Sequence, residues 1–597
     1  MTNAWMLRAA VVLTSVCLLV TALDGGALYG VDAVDRDVLA AEARRVASIR
    51  RASATAVAIF AGEAGGGSGV LVRPDGYALT NFHVVQPAGP AMRCGLDDGR
   101  LYNAVLVGLD PTGDVALIKL LGRDDFPTAE FGDSDLVQPG DFCFAAGNPF
   151  LLATDLRPSI SAGIVSGVHR YQFPAGTILE YTDCLQVDAA INPGNSGGGL
   201  FDADGRLIGV NGRASFEKRG RVNVGVGYAI SARQLRQFFG SLRGGRLVDH
   251  ATLGATVASS ADGRVVVSDI LESSDAWRRG LRYDDEVVSL AGRPVRTVNA
   301  FKNVLGTLPA GWQVPLVYRR GTERAEVLVR LAPLHAPAEL AAIVAGDRRP
   351  DRGPGRGPGR GPGRPTPDDV PGRPETMRPP PEDMPDVVRG VHDPRPGFTN
   401  HHFNVVERDR VAAAIAAARR PPAGPWRFGG TLAESGDFRI EVDDTVVSID
   451  LPTGRSTLDP RGELDAAADP PGSGGLLAAL ALWRRLSTGG PADLGSTTYW
   501  GTAPLYGSPL ARADETATAS PPLLDVLESA VAGVVARFFV DDGGSVVGID
   551  LWLDADADPC EVRLAPPADD GLPRAIVVRR GTTPFATFLV TPDGEGR

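Results

Sequence analysis

Between residues 346 and 397 the chain runs through GPGR three times in succession (353–364) and then RPPPEDMPD, with no apolar period anywhere in the stretch. Proline fixes φ and removes a backbone donor, and glycine raises the entropy lost on ordering. Such a segment cannot bury enough apolar surface to offset that loss, so it reads as a long disordered Pro/Gly/Arg linker. The sequence on either side must therefore fold around separate cores. A length of 597 residues fits three or four domains. The linker arginines read as a solvated tether. The net charge of −12 and the lack of basic runs elsewhere argue against nucleic acid as a partner.

At the amino terminus Arg8 precedes fifteen mostly apolar residues, Ala9 to Leu23. That is the length of a signal-peptide core and short for a membrane span of about 20 residues. Residues 1–30 are read as a signal peptide, with a retained membrane anchor as the alternative; both put the rest of the chain outside the cytoplasm. Cys94, Cys143, Cys184 and Cys560 remain after that segment and show no C-x-x-C spacing, which leaves no zinc motif. A disulfide such as Cys143–Cys184 fits export, but spacing does not determine it.

From Thr55 short β-branched runs recur: TAVAIF, GVLV, NAVLVGL, VALIKLL, DFCFAAG and RLIGVN, separated by turns such as RPDGY and DADGR. Many short strands at regular spacing indicate an all-β barrel or sandwich. SARQLRQFFGSLR closes this unit as an amphipathic helix. A second unit, about 250–331, alternates VVVSDI, EVVSL, VPLVYRR and AEVLVRL with the short helical pieces DAWRRG and NAFKNVLGTL. After the linker, ERDRVAAAIAAARR is a helix, and FRIEVDDTVVSIDL, AVAGVVARFFV, GSVVGIDLWLDAD, AIVVRR and FATFLVT look like sheet, giving an α+β domain. AVAGVVARFFV also fits a helix.

The run GNSGGG at 194–199 surrounds one hydroxyl with glycine. A serine nucleophile needs a base, a carboxylate to orient the base, and backbone N–H groups aimed at the oxyanion. A glycine-rich turn supplies those donors and room for a substrate. Ser196 is therefore the candidate nucleophile, and Gly194, Asn195 and Ser196 form the candidate oxyanion loop. Only His83 and His169 precede residue 250. His83, after a strand–turn–strand signal, is the candidate base. Asp114, heading the apolar run VALIKLL, is the candidate carboxylate, since a buried carboxylate needs a partner. Asp110 is its rival but reads as part of the preceding turn.

These segments, GSGVLVRPDGYALTNFHVV, GDVALIKL, LQVDAAINPGNSGGGLFDADGRLIGVN and GVGYAIS, resemble the HtrA (Deg) family of trypsin-like serine proteases over about residues 50–240. The resemblance implies a chymotrypsin-like double β-barrel and a serine endopeptidase cleaving unfolded or regulatory proteins outside the cytoplasm. By motif match His83 is the general base, Asp114 orients it and Ser196 attacks. It also implies a primary specificity pocket based at Ala190 and Ile191. No carboxylate is there, so small or aliphatic residues should precede the cut. No cofactor is needed. ATLGATV and the segment after it resemble a PDZ domain, which implies capture of peptide C-termini, with Leu253, Gly254 and Ala255 matching the carboxylate-binding loop. The family suggests homotrimers, though its aromatic trimer contacts are not evident near the amino terminus.

The domains expected are thus 1–30 signal peptide or anchor, 38–245 protease, 248–334 PDZ, 346–397 linker and 398–597 α+β. The contrasting reading is a catalytically silent, peptide-binding scaffold of the cell envelope. Two weaker signals carry no role. LDADADPCE (553–561) lacks the turn glycine and closing glutamate of a calcium loop, and adjacent His401 and His402 cannot easily face one metal.

Overall fold

The computed structural model describes residues 36–60, 66–148, 155–172, 179–216, 223–345, 384–418, 424–434, 436–465, 468–507 and 521–591. The expected signal peptide and most of the expected linker lie outside these residues. A helix, Arg36–Thr55, leads into the strands. From residue 52 onward the chain forms one compact unit.

Twelve strands make two closed antiparallel barrels. The first is β1 (Ala56–Phe60), β2 (Gly66–Leu71), β3 (Tyr77–Thr80), β4 (Ala91–Gly95), β5 (Leu101–Asp110) and β6 (Val115–Leu120), in the order β1-β2-β3-β6-β5-β4. The second is β7 (Phe142–Gly147), β8 (Ser159–Gln172), β9 (Tyr181–Val187), β10 (Gly199–Asp202), β11 (Leu207–Phe216) and β12 (Asn223–Ser231), in the order β10-β11-β12-β9-β8-β7. Closure leaves no free sheet edge, and each barrel is filled by its own side chains: Ile59, Leu71, Leu106 and Ile118 in one, Val165, Leu185, Ile191 and Leu200 in the other. The helix Ala232–Arg243 follows, capped by the Ser231 hydroxyl accepting from the Gln234 amide.

The next strands are β13 (Ala251–Thr252), β14 (Ala255–Ser259), β15 (Val265–Ile270), β16 (Glu286–Leu290), β17 (Arg293–Pro294), β18 (Gln313–Arg320), β19 (Glu323–Arg330) and β20 (Ala332–Pro333). Their main sheet runs β14-β15-β16-β18-β19. The helix Val298–Leu305 lies beside β14, at one end of that order.

The last domain is one antiparallel sheet of eleven strands: β21 (Trp426–Leu432), β22 (Asp437–Val442), β23 (Val447–Leu451), β24 (Gly454–Leu458), β25 (Ser496–Pro504), β26 (Leu523–Val531), β27 (Val534–Val540), β28 (Val546–Trp552), β29 (Cys560–Leu564), β30 (Ala575–Arg580) and β31 (Thr583–Thr591). The expected strands are here, including AVAGVVARFFV, which folds as the end of β26 and all of β27. The helix Leu476–Gly489 was not anticipated. Its first eight residues, Leu476 to Trp483, are apolar on every side and all buried. It touches β22 to β24 near one end of the sheet and β27 to β29 toward the other, so the sheet curls around it.

Two expectations are corrected. Packed structure is already present from Met384, ahead of the expected boundary at residue 398: Met384 and Val388 are buried around the short helix Asp386–Arg389, and Asn400 Nδ2 donates to the Leu106 carbonyl at 3.0 Å. Cys143 and Cys184 are not joined. All four described cysteines are free and buried. Burial pushes the Cys143 thiol up to about 12 and Cys94, Cys184 and Cys560 higher still, so they behave as small apolar side chains.

The last domain is not an independent appendage. Ala503, Leu505, Val526, Phe539 and Val547 share a core with Leu253, Phe301 and Trp312 of the third sheet's domain. Around that core Trp312 Nε1 donates to the Thr502 carbonyl at 3.0 Å, Gln313 Nε2 to Glu561 at 2.7 Å and Arg330 to Asp550 at 2.8 Å. Asp558, in the acidic turn, pairs with Arg279 at 3.0 Å. Asn404 Nδ2 links the helix that closes the two barrels to β25, donating to the carbonyls of Gly244 and Tyr499 at 2.9 and 2.8 Å.

Candidate active site

His83 lies in the single helical turn Phe82–Val85 that follows β3. Asp114 lies in the tight connection from β5 to β6, directly across from it. The Asp114 carbonyl accepts from Asn81 Nδ2 at 2.9 Å and from the Phe82 amide at 3.3 Å. Its carboxylate accepts from the His83 amide at 3.0 Å and from His83 Nδ1 at 2.8 Å. A third donor, the Tyr181 hydroxyl at the start of β9, reaches the same carboxylate. Asp114 is wholly buried, so the three donors replace the water it has lost. Its backbone is left-handed, φ 58°, a conformation unfavourable for a residue with a Cβ.

The carboxylate fixes the tautomer of the neutral imidazole: Nδ1 carries the hydrogen toward Asp114, leaving Nε2 as the proton acceptor. The His83 side chain keeps 40 % of its surface at the mouth of the cleft, against none for Asp114. Surrounding protein still desolvates the ring, which disfavours its charge. The Asp114 carboxylate outweighs this through its charge and hydrogen bond, and holds the imidazole pKa above its ordinary value.

The serine turn is anchored to the first barrel. The Ser68 amide donates to the Ser196 carbonyl at 2.8 Å and the Ser68 hydroxyl to the Gly194 carbonyl at 2.6 Å. A Cβ on Gly67 would meet both Val84, beside His83, at 2.7 Å and the Ser196 carbonyl at 3.0 Å. Gly197, φ 85°, comes so near the Ser68 carbonyl that a Cβ would lie 2.1 Å from it. Glycine here thus serves close backbone approach as well as conformation. The Asn195 amide is used inside the turn, on the Asn192 carbonyl at 2.9 Å. Among the described residues the amides of Gly194 and Ser196 donate to no partner, so two of the three expected loop residues offer a free N–H. The Ser196 hydroxyl donates to the Gly212 carbonyl at 3.2 Å.

The Ala190 carbonyl braces the loop, accepting from Ser161 Oγ at 2.9 Å and Asn195 Nδ2 at 3.3 Å. Ile191 is buried, and a Cβ on Gly227 of β12 would sit 2.7 Å from it; the missing side chain makes room for Ile191. Leu253 is buried, Gly254 is left-handed at φ 71° with its amide on Thr252 Oγ1 at 3.1 Å, and Ala255 opens β14.

Other candidates have different partners. Asp110 binds His250, with Nε2 at 2.9 Å from both carboxylate oxygens. His169 pairs with Asp183 at 2.8 Å, and Arg293 of the third sheet's domain holds the same carboxylate at 2.9 Å. His401 turns to Asp393 and His402 lies edge-on to Phe403. Tyr181, Ser68 and Asn81 escaped sequence reasoning. Their types are unremarked in a strand or turn, and only the fold brings them to the triad candidates.

Residues 67–210 match the family model described as a trypsin-like peptidase domain. Over 289 residues the chain is 33% identical to a probable periplasmic serine endoprotease DegP-like of Chlamydia muridarum (strain MoPn / Nigg), covering 46% of this chain and 56% of that protein. It is 34% identical over 277 residues to the periplasmic serine endoprotease DegP of Escherichia coli (strain K12), covering 44% of this chain and 56% of that one. The chain thus spans a little over half the length of these curated relatives. Among solved structures it is similar to the HtrA-type protease AlgW with tripeptide, at 30% identity and a TM-score of 0.41, covering 49% of this chain and 98% of that one. Through residues 67–210 the chain carries a trypsin-like peptidase domain, and over its two barrels and the sequence around them it is similar to serine proteases of the HtrA (Deg) family.

Proposed function

We propose that this chain is a serine endopeptidase acting on polypeptides outside the cytoplasm. The observation that chiefly supports the reading is the wholly buried Asp114 carboxylate on Nδ1 of His83, beside a serine turn with two unspent amides. In this reading the Ser196 hydroxyl turns from the Gly212 carbonyl to His83 Nε2 and attacks the substrate carbonyl carbon. His83 takes the hydroxyl proton, and Asp114 stabilises the imidazolium. The Gly194 and Ser196 amides hold the oxyanion; losing one such donor raises the barrier by about 3 to 4 kcal/mol. The same proton passes to the leaving amine. Water, activated by His83, then releases the acyl group. Ile191 makes the pocket floor apolar, which favours small or aliphatic residues before the cut.

Export is supported by the periplasmic names of the relatives and by the apolar amino-terminal run. The domain expected at 248–334 is read as a PDZ module in which a peptide C-terminus adds to the outer edge of β14, over Val257 and Leu305.

The hydrogen bond from Ser196 to Gly212 favours a second reading, a silent scaffold. A fluorophosphonate probe separates the two. Labelling of the wild type that is lost in Ser196→Ala, together with casein digestion lost in the same variant, supports the enzyme; an unlabelled wild type overturns it.

A further inference from the structure

The turn that carries Asp114 is itself held from outside the barrel. β5 ends at Asp110 and β6 begins at Val115, so Pro111 to Asp114 must reverse the chain. Asp110 Oδ1 accepts from the Gly113 amide at 2.8 Å, closing the turn. His250 Nε2 lies 2.9 Å from both Asp110 oxygens. Neither residue is exposed: Asp110 keeps 0% of its surface and His250 2%. The fit is tight. A Cβ on Gly113 would lie 2.4 Å from Asp110 Oδ2, 2.5 Å from Gln234 Nε2 and 2.8 Å from His250 Nε2.

His250 belongs to the segment joining the barrels to the third sheet's domain. Its carbonyl accepts from the Leu334 amide at 3.0 Å, and its ring lies on Phe238 of the closing helix, centroids 4.6 Å apart. The imidazole is therefore clamped by two elements before it reaches Asp110. Beyond the turn, the Thr112 carbonyl accepts from the Glu180 amide at 2.9 Å, next to Tyr181. Asp114, at the end of this clamped turn, keeps a left-handed backbone, which costs a residue with a Cβ more than the right-handed one even though aspartate tolerates it better than most.

We propose that His250 is a positioning residue for the triad: by gripping Asp110 it imposes the turn that presents the Asp114 carboxylate to His83. Release of the grip lets Asp114 relax toward ordinary backbone angles, and the carboxylate leaves Nδ1. His250 touches neither substrate nor the reacting atoms. The inference rests on the protease reading above.

The test is the double variant Asp110→Asn/His250→Leu, made in the full chain. The introduced carboxamide oxygen can still accept from the Gly113 amide, and no unpaired charge is left buried. For wild type and variant, kcat and KM on a peptide substrate, Tm, and the low-field NMR signal of the His83 Nδ1 proton are measured. Misplacing a catalytic group by about 1 Å can cost on the order of a hundredfold in rate. The expected result is kcat lower by about tenfold to a hundredfold, KM nearly unchanged, and the low-field signal lost from a folded protein. His250→Gln, which keeps a donor, should recover much of the loss; if the double variant does not fold, His250→Gln alone decides, by a partial fall in kcat. Unchanged kcat and an unchanged signal in a folded variant overturn the proposal. If the wild type does not cleave at all, the protease reading fails; the signal still decides whether His250 positions Asp114.

Discussion

Asp114 shows how much of a candidate catalytic centre lies beyond the residues that name it. Its position was legible because an acid at the head of an apolar strand must find a partner, and the segment around it matches a family motif. The supports were not legible. Tyr181 comes from the other barrel and His250 from beyond it, and neither has a spacing that points to residue 114. Asp110 read as a turn residue, which it is; its buried imidazole partner lies 140 residues away. The His83–Asp114 pair also sets a pH dependence. In the proposed reaction His83 acts as a base only when neutral, and the carboxylate holds its pKa above the ordinary value of about 6.5. Activity should therefore fall as pH drops through a midpoint above that value. In Asp114→Asn the midpoint should move down and the rate should collapse. The acid limb of kcat/KM against pH, measured for both proteins, checks this.

At the scale of elements, the barrels were readable because closed sheets need short runs of alternating or fully buried apolar residues, bounded by turns. The strands of the last domain were readable for the same reason. The helix Leu476–Gly489 was not. LLAALALW has no polar face, so it offers no helical period to detect, and only its burial inside a curled sheet explains the composition. Leu480 sits in that core with no exposure. Leu480→Ala should destabilise the protein by about 2 to 5 kcal/mol, read as a lower denaturant midpoint with an unchanged slope. Because this helix touches the barrels nowhere among its main contacts, fluorophosphonate labelling of the folded variant should match the wild type.

At the scale of the molecule, the Pro/Gly/Arg composition suggested two halves joined by a tether. Composition describes the tether and not the surfaces on either side of it, and those surfaces meet. Arg563, Asp550 and Glu561 are each 1% exposed, and Arg330 of the neighbouring domain reaches both acids. Burial opposes the charge on Asp550, but Arg563 and Arg330 hold its carboxyl below the ordinary range. Asp550→Ala would leave the Arg330 and Arg563 guanidinium groups to share Glu561, each having lost its shorter carboxylate contact. Breaking a buried pair from one side costs about 3 to 5 kcal/mol, so chemical denaturation of this variant should show that loss.

Ala345 ends the helical stretch before the arginine-rich segment, and buried Met384 begins the fold after it. Both ends are thus pinned to the same body. Cleavage of the chain between these two residues would leave both fragments clasped through the shared apolar seam, travelling as a single particle.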